Sequence, residues 1–221
     1  MNKRIPLIAI ALAIFFFSCR PVYFNTPNDL RNIRGTVFLT NGKSVDGKII
    51  INKSNFLSSP VKVYTEGDKK PMQFPLMDVK GYQIRGDYYA LKEIKGGISI
   101  GNRYSFMKRL TNESSRIQLF ENVEKHTSSS GYNNTISTTT YETEYFMQLP
   151  SEEGDAVWSL SSNKFVPNFD EKMSRMVSDC PALAQKIADK EEGYFYRQVT
   201  MFKEKRADVL LNIISEYNNC Q

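Results

Sequence analysis

Histidine occurs once in this 221-residue sequence, at His126, and tryptophan once, at Trp158. One imidazole and a few cysteines do not make a zinc site, and a serine-based triad has only His126 to draw on. Cysteine occurs three times, at Cys19, Cys180 and Cys220, never as C-x-x-C. The phosphate-binding loop and the dinucleotide fingerprint are missing. The acidic residues do not fall in a calcium-loop pattern. No catalytic set, no metal and no cofactor is therefore read from the chain. The longest apolar run, residues 5–17, falls short of the roughly 20 residues that a spanning helix needs.

That run has another use. Lys3 and Arg4 precede it, and the small Ser18 and then Cys19 follow. A positive start, an apolar core and a small residue at the cut is the order of a secretory signal peptide. Phe16-Phe17-Ser18-Cys19 resembles the lipobox of bacterial lipoproteins, with Phe16 where leucine is usual. The resemblance implies cleavage before Cys19, diacylation of Cys19 and attachment to a membrane through that lipid. Several acyl chains hold firmly because each buried methylene contributes about 0.8 kcal/mol. No acidic residue closely follows Cys19. By the same resemblance this favours the periplasmic side of the outer membrane of a Gram-negative bacterium. The expected organisation is a signal peptide over 1–18, a lipidated tether over 19–30, a β-rich module over 31–162 and a helical region over 163–221.

With Cys19 taken by lipid, Cys180 and Cys220 remain. An even pair in an oxidising compartment points to a disulfide, with two buried free thiols as the alternative. Charge is uneven: residues 19–150 hold 18 Lys and Arg against 12 Asp and Glu, while residues 151–221 hold 9 against 12. A basic N-terminal half suits an anionic lipid or polymer as well as an ordinary solvated surface. The export signal argues against nucleic acid.

From residue 31 the pattern is that of strands. Thr36–Thr40 runs into Asn41-Gly42 and then Lys43–Ile51, with Val37, Leu39, Val45, Ile49 and Ile51 on one face. Asn-Gly between alternating runs is a strong hairpin signal, and Gly47 marks a bulge or tight bend. This opening resembles the start of small SH3-like barrels. Further short runs follow at 61–65, 72–74, 81–84, 88–94, 103–110, 116–123, 140–149 and 156–160. They are rich in Tyr, Phe, Val and Ile, as strands are. The Ser/Thr/Asn-rich stretch Thr127–Thr140 is expected to be a mobile hairpin loop.

After Pro167 the period changes. Asn168 and Glu171 fit a capping box ahead of Phe169, Met173, Met176 and Val177. A second helix begins at Asp179, buries Leu183 and Ile187 and is expected to end at Gly193. A third, about 198–218, aligns Val199, Phe202, Val209, Leu210, Ile213 and Tyr217. The fold class is α+β, an N-terminal antiparallel β-rich module (barrel or sandwich) followed by a three-helix C-terminal cap. A short connection makes the last two helices antiparallel. Cys180 and Cys220 then come within disulfide reach, with Cα atoms about 4.4–6.8 Å apart. The strings Tyr145-Phe-Met-Gln-Leu-Pro150, Lys164-Phe-Val-Pro167, Asp179-Cys-Pro181 and Tyr217-Asn-Asn-Cys220 are similar to exported Bacteroidetes proteins without assigned function.

Three features bear on chemistry. Gly97-Ile-Ser99-Ile-Gly101 matches G-x-S-x-G, but a strand pattern follows where a nucleophile elbow needs a helix, so Ser99 is expected in a turn or bulge. Glu142 and Glu144 share a strand face, expected to be the solvent face. Tyr82, Tyr88, Tyr89, Tyr104, Tyr141 and Tyr145 could form a ligand platform, although half-buried strands favour tyrosine anyway. The expected function is a membrane-anchored envelope lipoprotein acting as a non-enzymatic binding or accessory structural module. Its partners would be the membrane, through the lipid on Cys19, and an envelope protein or glycan. The alternative is an envelope hydrolase acting on polysaccharide or peptidoglycan.

Overall fold

Alternating apolar residues become antiparallel strands in a computed structural model that describes residues 22–52, 59–95, 104–130, 136–150, 154–196 and 203–220. The strands are β1 (Tyr23–Thr26), β2 (Asp29–Leu39), β3 (Ser44–Ile51), β4 (Val61–Tyr64), β5 (Met72–Phe74), β6 (Val79–Ile84), β7 (Asp87–Lys95), β8 (Tyr104–Arg109), β9 (Gln118–Ser130), β10 (Ile136–Gln148) and β11 (Ala156–Ser159). The helices are α1 (Phe169–Met176), α2 (Pro181–Ala188) and α3 (Lys203–Asn219). The chain is α+β, with its helices at the C-terminal end.

The strands form one sheet in the order β11-β10-β9-β8-β7-β6-β2-β3-β4-β5, with β1 beside β2. β11 pairs antiparallel with β10 and also parallel with β7, so β7 to β11 close into a ring of five. Each strand of the ring contributes one residue to a small buried apolar cluster: Ala90, Met107, Phe120, Phe146 and Val157. Lys92 shares the parity of Ala90 on β7. Its ammonium donates to Gln148 Oε1 at 2.9 Å and Asp155 Oδ1 at 2.8 Å and lies over the Phe120 ring. These partners offset the desolvation that a buried charge otherwise suffers.

β7 buries both faces, because side chains alternate across a strand. Tyr89 and Leu91 point the other way, into a second core with Leu30, Val37, Ile49, Val63, Tyr82 and Phe106. Tyr82 stacks on Tyr89 with centroids 4.9 Å apart and donates its hydroxyl to the Pro27 carbonyl at 2.7 Å. The third core lies beyond the ring. There Leu119, Met147 and Leu149 of the β9–β10 hairpin meet Phe169, Met173, Leu183, Ile187, Leu210 and Ile213 of the helices.

Several expectations are corrected. Residues 19–30 do not all serve as a tether: Tyr23–Thr26 and Asp29–Leu39 are strands, paired Tyr23↔Arg31 and Thr26↔Asp29. The Pro27 and Asn28 that looked like linker composition make the turn, and the Asn28 side chain accepts from the Phe106 N–H at 2.8 Å. The stretch 127–140 is not simply a loop, since residues 127–130 and 136–140 pair as the outer arms of β9 and β10. Threonine suits an extended backbone, and ladder hydrogen bonds replace the missing apolar burial. The Asn41-Gly42 hairpin forms, but as a three-residue loop in which only Gly42 has positive φ (82°). Its closing bond runs from the Gly42 N–H to the Leu39 carbonyl at 3.1 Å. Gly47 is a close approach and not a bulge, because a Cβ there would sit 2.5 Å from the Tyr64 carbonyl oxygen of β4.

The helix ends differ too. Asn168 is left-handed (φ 64°) and makes no side-chain cap to the backbone, so the capping box does not form. An N-cap works from an extended backbone, which aims its oxygen at the first turn. α2 stops at Ala188, ahead of Gly193: Lys190 takes the left-handed position (φ 58°), and the Glu191 N–H reaches the Lys186 carbonyl at 3.0 Å. That is a Schellman ending with lysine in place of glycine. Val199 and Phe202 lie outside the described residues.

Cys180, the N-cap of α2, and Cys220, just past α3, are joined by a disulfide with Cα atoms 5.9 Å apart. α2 and α3 run antiparallel from that clasp. Lys186 donates to Glu216 Oε1 at 2.8 Å, and the Tyr194 hydroxyl donates to Glu216 Oε2 at 2.5 Å.

Candidate functional site

A cleft of about 310 Å³ opens on the outward face of the first strands. Its walls include Tyr23, Arg31, Ile50, Asn52, Lys62 and Tyr64. Strand register builds it. Tyr23 of β1 pairs with Arg31 of β2, Arg31 with Ile50 of β3, and Ile50 with Lys62 of β4. Directly paired residues share one face of a sheet, so the four side chains form a row across four strands. The next row on the same face is Arg34, Lys48 and Tyr64, linked by the pairs Arg34↔Lys48 and Lys48↔Tyr64.

Arg31 and Arg34 are three residues apart and would face opposite ways in a regular strand. A register shift between Arg31 and Ile33, with Asn32 left-handed (φ 56°), inserts one residue and brings both onto the outward face. A bulge of this kind re-aims side chains. The same shift keeps Leu30 and Ile33 in the core.

Cations predominate in the cleft itself. Arg31 and Lys62 line the cleft, Arg34 and Lys48 flank it, and no carboxylate is among its described lining residues. Arg31 stands 5.6 Å from the Tyr23 ring centroid, a cation–π spacing. Acids stand nearby but are engaged: Asp46, on the outward parity of β3 with Lys48, accepts from the Thr36 hydroxyl, and Asp29 accepts from the Tyr23 hydroxyl at 3.5 Å. Asp29 also accepts from Asn25 at 2.8 Å, and Glu66 lies 3.7 Å from Arg34 in a highly exposed pair. The cleft offers cations, two tyrosine edges and amide groups. That set is suited to holding an anionic, hydroxyl-bearing ligand.

The tyrosines, Ser99, His126 and the Glu142/Glu144 pair do not converge here. Tyr82 and Tyr89 are core residues, and burial raises both hydroxyl pKa values, Tyr89 to about 12. Tyr88 sits under Arg109, whose guanidinium is 4.6 Å from its ring centroid. Tyr104 and Tyr145 pack against separate cores, and Tyr141 is exposed. The strand tyrosines are therefore distributed through the fold and do not share a platform. Ser99, Gly97 and Gly101 lie outside the described residues, as does Cys19. His126, on β9, faces Glu124 at 3.9 Å and Glu142 at 3.7 Å. Glu142 is exposed, but Glu144 is half-buried and accepts a hydrogen bond from the Ser159 hydroxyl, so the pair is not simply a solvent face. Both line a smaller cleft of about 170 Å³ with Tyr145, Ser161 and Arg206. Among the described residues no group of three or more His, Cys, Asp or Glu is placed to hold a metal ion.

The cleft residues were missed because Tyr23 lay in the supposed tether and Arg31 at its border. One signal was present. The apolar parity switches from even at Leu30 to odd at Ile33, Val37 and Leu39, and only a bulge reconciles the two. Comparison with known protein families, with curated proteins and with solved structures finds no match to this chain.

Proposed function

We propose that this chain is an exported, cell-envelope lipoprotein, lipidated on Cys19 and held at a membrane. Its role is that of a non-enzymatic binding or accessory module. The observation that carries the binding role is the cleft: Arg31 and Lys62 flank Ile50 in one cross-strand row, with Tyr23 and Tyr64 at the sides. A rigid sheet presents these groups, so ligand contact needs little ordering of the chain. The partner is an envelope component of anionic or hydroxyl-rich chemistry.

The anchor is tested with Cys19→Ala. The variant is expected to be exported but to leave the detergent phase, whereas the wild type partitions into it. Equal partitioning of the two would remove lipidation at Cys19 from the account. The binding role is tested by a photo-crosslinker at position 50, which is expected to capture an envelope component that one at position 175 does not. The hydrolase alternative has one observation in its favour, the shared lining of the smaller cleft by Glu142 and Glu144. Polysaccharide turnover that disappears in Glu142→Gln would support it.

A further inference from the structure

We infer that the basic face of β1 to β4 lies against the anionic phospholipid headgroups of the membrane that holds the lipid anchor. This rests on the proposed lipidation of Cys19. The first support is the length of the leash. Tyr23 begins β1 and is itself a wall of the cleft, four positions after Cys19. Four residues reach at most about 14 Å even when fully extended. A long tether would leave the folded body free to turn. This one holds the face that carries Tyr23 close to the acyl chains.

The second support is charge. Arg31, Arg34, Lys48 and Lys62 occupy two adjacent rows of that face; among the described residues Arg34 alone of the four is ion-paired, with Glu66 at 3.7 Å, and the one acid on the following row, Asp46, accepts from Thr36. Interactions with headgroup phosphates decay over a Debye length, about 8–10 Å at ordinary ionic strength, so short range is what makes these cations count. Residues 151–221, which build the helices, hold an acidic excess of 12 against 9. An anionic surface repels the acidic segment and attracts the basic face, and both effects favour the cleft facing the bilayer.

The third support is the apolar and aromatic edge. Val22, directly before β1, is 66% exposed, and Tyr23 and Tyr64 flank the cations. Tyrosines with Lys and Arg whose stems lie along apolar surface are suited to the headgroup level. Here Ile50 lies between Arg31 and Lys62, so each long side chain can run beside an apolar neighbour and present its charge outward.

The test uses the full chain carrying Cys19→Ala, so that acylation cannot supply the binding. Vesicles of phosphatidylcholine alone are compared with vesicles in which part of it is replaced by phosphatidylglycerol. Partition onto the anionic vesicles is expected, weakening as salt is raised. Each cation near such a surface is worth about fivefold in partition, so Arg31→Gln with Lys62→Gln should lower it about thirtyfold. A control pair in the helical layer, Arg175→Gln on α1 with Lys190→Gln just past α2, removes the same charge and should change partition less than about twofold. No preference for anionic vesicles, or equal losses from both pairs, would overturn the inference. So would binding of the parent to alginate without binding to vesicles, which makes the cleft a glycan site. Mass analysis of the N-terminal peptide of wild type separates this from the anchor. Acylated Cys19 with no vesicle binding sinks the surface and keeps the anchor. Vesicle binding with unacylated Cys19 does the reverse.

Discussion

On the face of β9 and β10 turned away from the strand ring, Leu119, Met147 and Leu149 are buried beneath Phe169, Met173, Leu183 and Ile213. On the outward face of β2 to β4, Arg31, Ile50 and Lys62 stay half-exposed. Both faces belong to the same sheet, yet one is finished by a helical layer and the other by cations and tyrosines. The helical layer is also clasped. The disulfide ties the start of α2 to the end of α3. Arg116 donates to Asp179 and, at 2.8 Å, to the Tyr217 hydroxyl, tying both helices to the approach to β9. The difference separates two jobs: the covered face supplies stability, and the open face is available for contact.

Truncating one large side chain on each face should break the symmetry most visibly. Phe169 is 1% exposed and packs on Tyr196 with centroids 4.4 Å apart. Phe169→Ala is expected to lower stability by about 3–5 kcal/mol in urea unfolding. Ile50→Ala, on the half-exposed face, should cost less than about 1 kcal/mol. Losses of equal size would erase the contrast between the faces.

The disulfide comes next. Replacing Cys180 and Cys220 together by serine is expected to cost about 2–4 kcal/mol, chiefly by freeing the unfolded chain. Amide exchange should rise first in α3, whose end the bond holds, while β2 and β3 keep their protection. If β2 and β3 lose protection to the same extent, the helical layer is not a separable source of stability.

Titration should show the acid-side contribution of the helical layer apart from the alkaline-side contribution of the buried tyrosines. Asp179, hydrogen-bonded by Arg116 and Tyr217, and Glu216, hydrogen-bonded by Lys186 and Tyr194, both have carboxyls held below their ordinary values. Their contribution is present above the unfolded-state carboxylate range and is lost as pH falls through the folded-state values. Both groups are near solvent, so the acid loss is small and confined to the helical layer. At the other end, burial raises the hydroxyls of Tyr82 and Tyr89 in the sheet core and of Tyr196 beneath α1, the last two to about 12. A raised folded pKa means stability is complete below about pH 10 and is lost as pH climbs toward about 12. Tyr82→Phe should flatten that alkaline limb, which a stability-against-pH series would read directly.

These contrasts were only partly legible in the sequence. Every strand-like run overlaps a strand, with most ends within two residues, because period-2 alternation and β-branched or aromatic residues are local signals. The Cys180–Cys220 bond was legible because two cysteines remain besides Cys19 and the helical pattern puts them at meeting ends of two antiparallel helices. The ring closure was not, since the parallel pairing of β11 with β7 joins segments more than sixty residues apart and leaves no local mark. Lys92 gave no hint of burial, because its partners Gln148 and Asp155 are 56 and 63 residues away. The cleft was hidden by composition: Pro, Asn and Thr between Cys19 and Leu30 look like a linker until the cross-strand partners are known.

The smallest expected effect on stability is at the cleft, and it is the one that tests the division of labour most sharply. Arg31 and Lys62 stand on either side of Ile50, two like charges in one row. Half-exposed cations of this kind contribute little to folding, because water solvates them in both states. Arg31→Gln with Lys62→Gln should therefore change unfolding free energy by no more than about 0.5 kcal/mol. The same pair should cost most of the affinity for an anionic surface. Arg116→Gln is expected to do the opposite: it removes the hydrogen bonds to Asp179 and Tyr217 and lowers thermal stability, but leaves the cleft untouched. Measuring both properties for both variants gives four outcomes. If the cleft pair unfolds the protein, or Arg116→Gln abolishes vesicle binding while the fold persists, then stability and contact are not divided between the two faces.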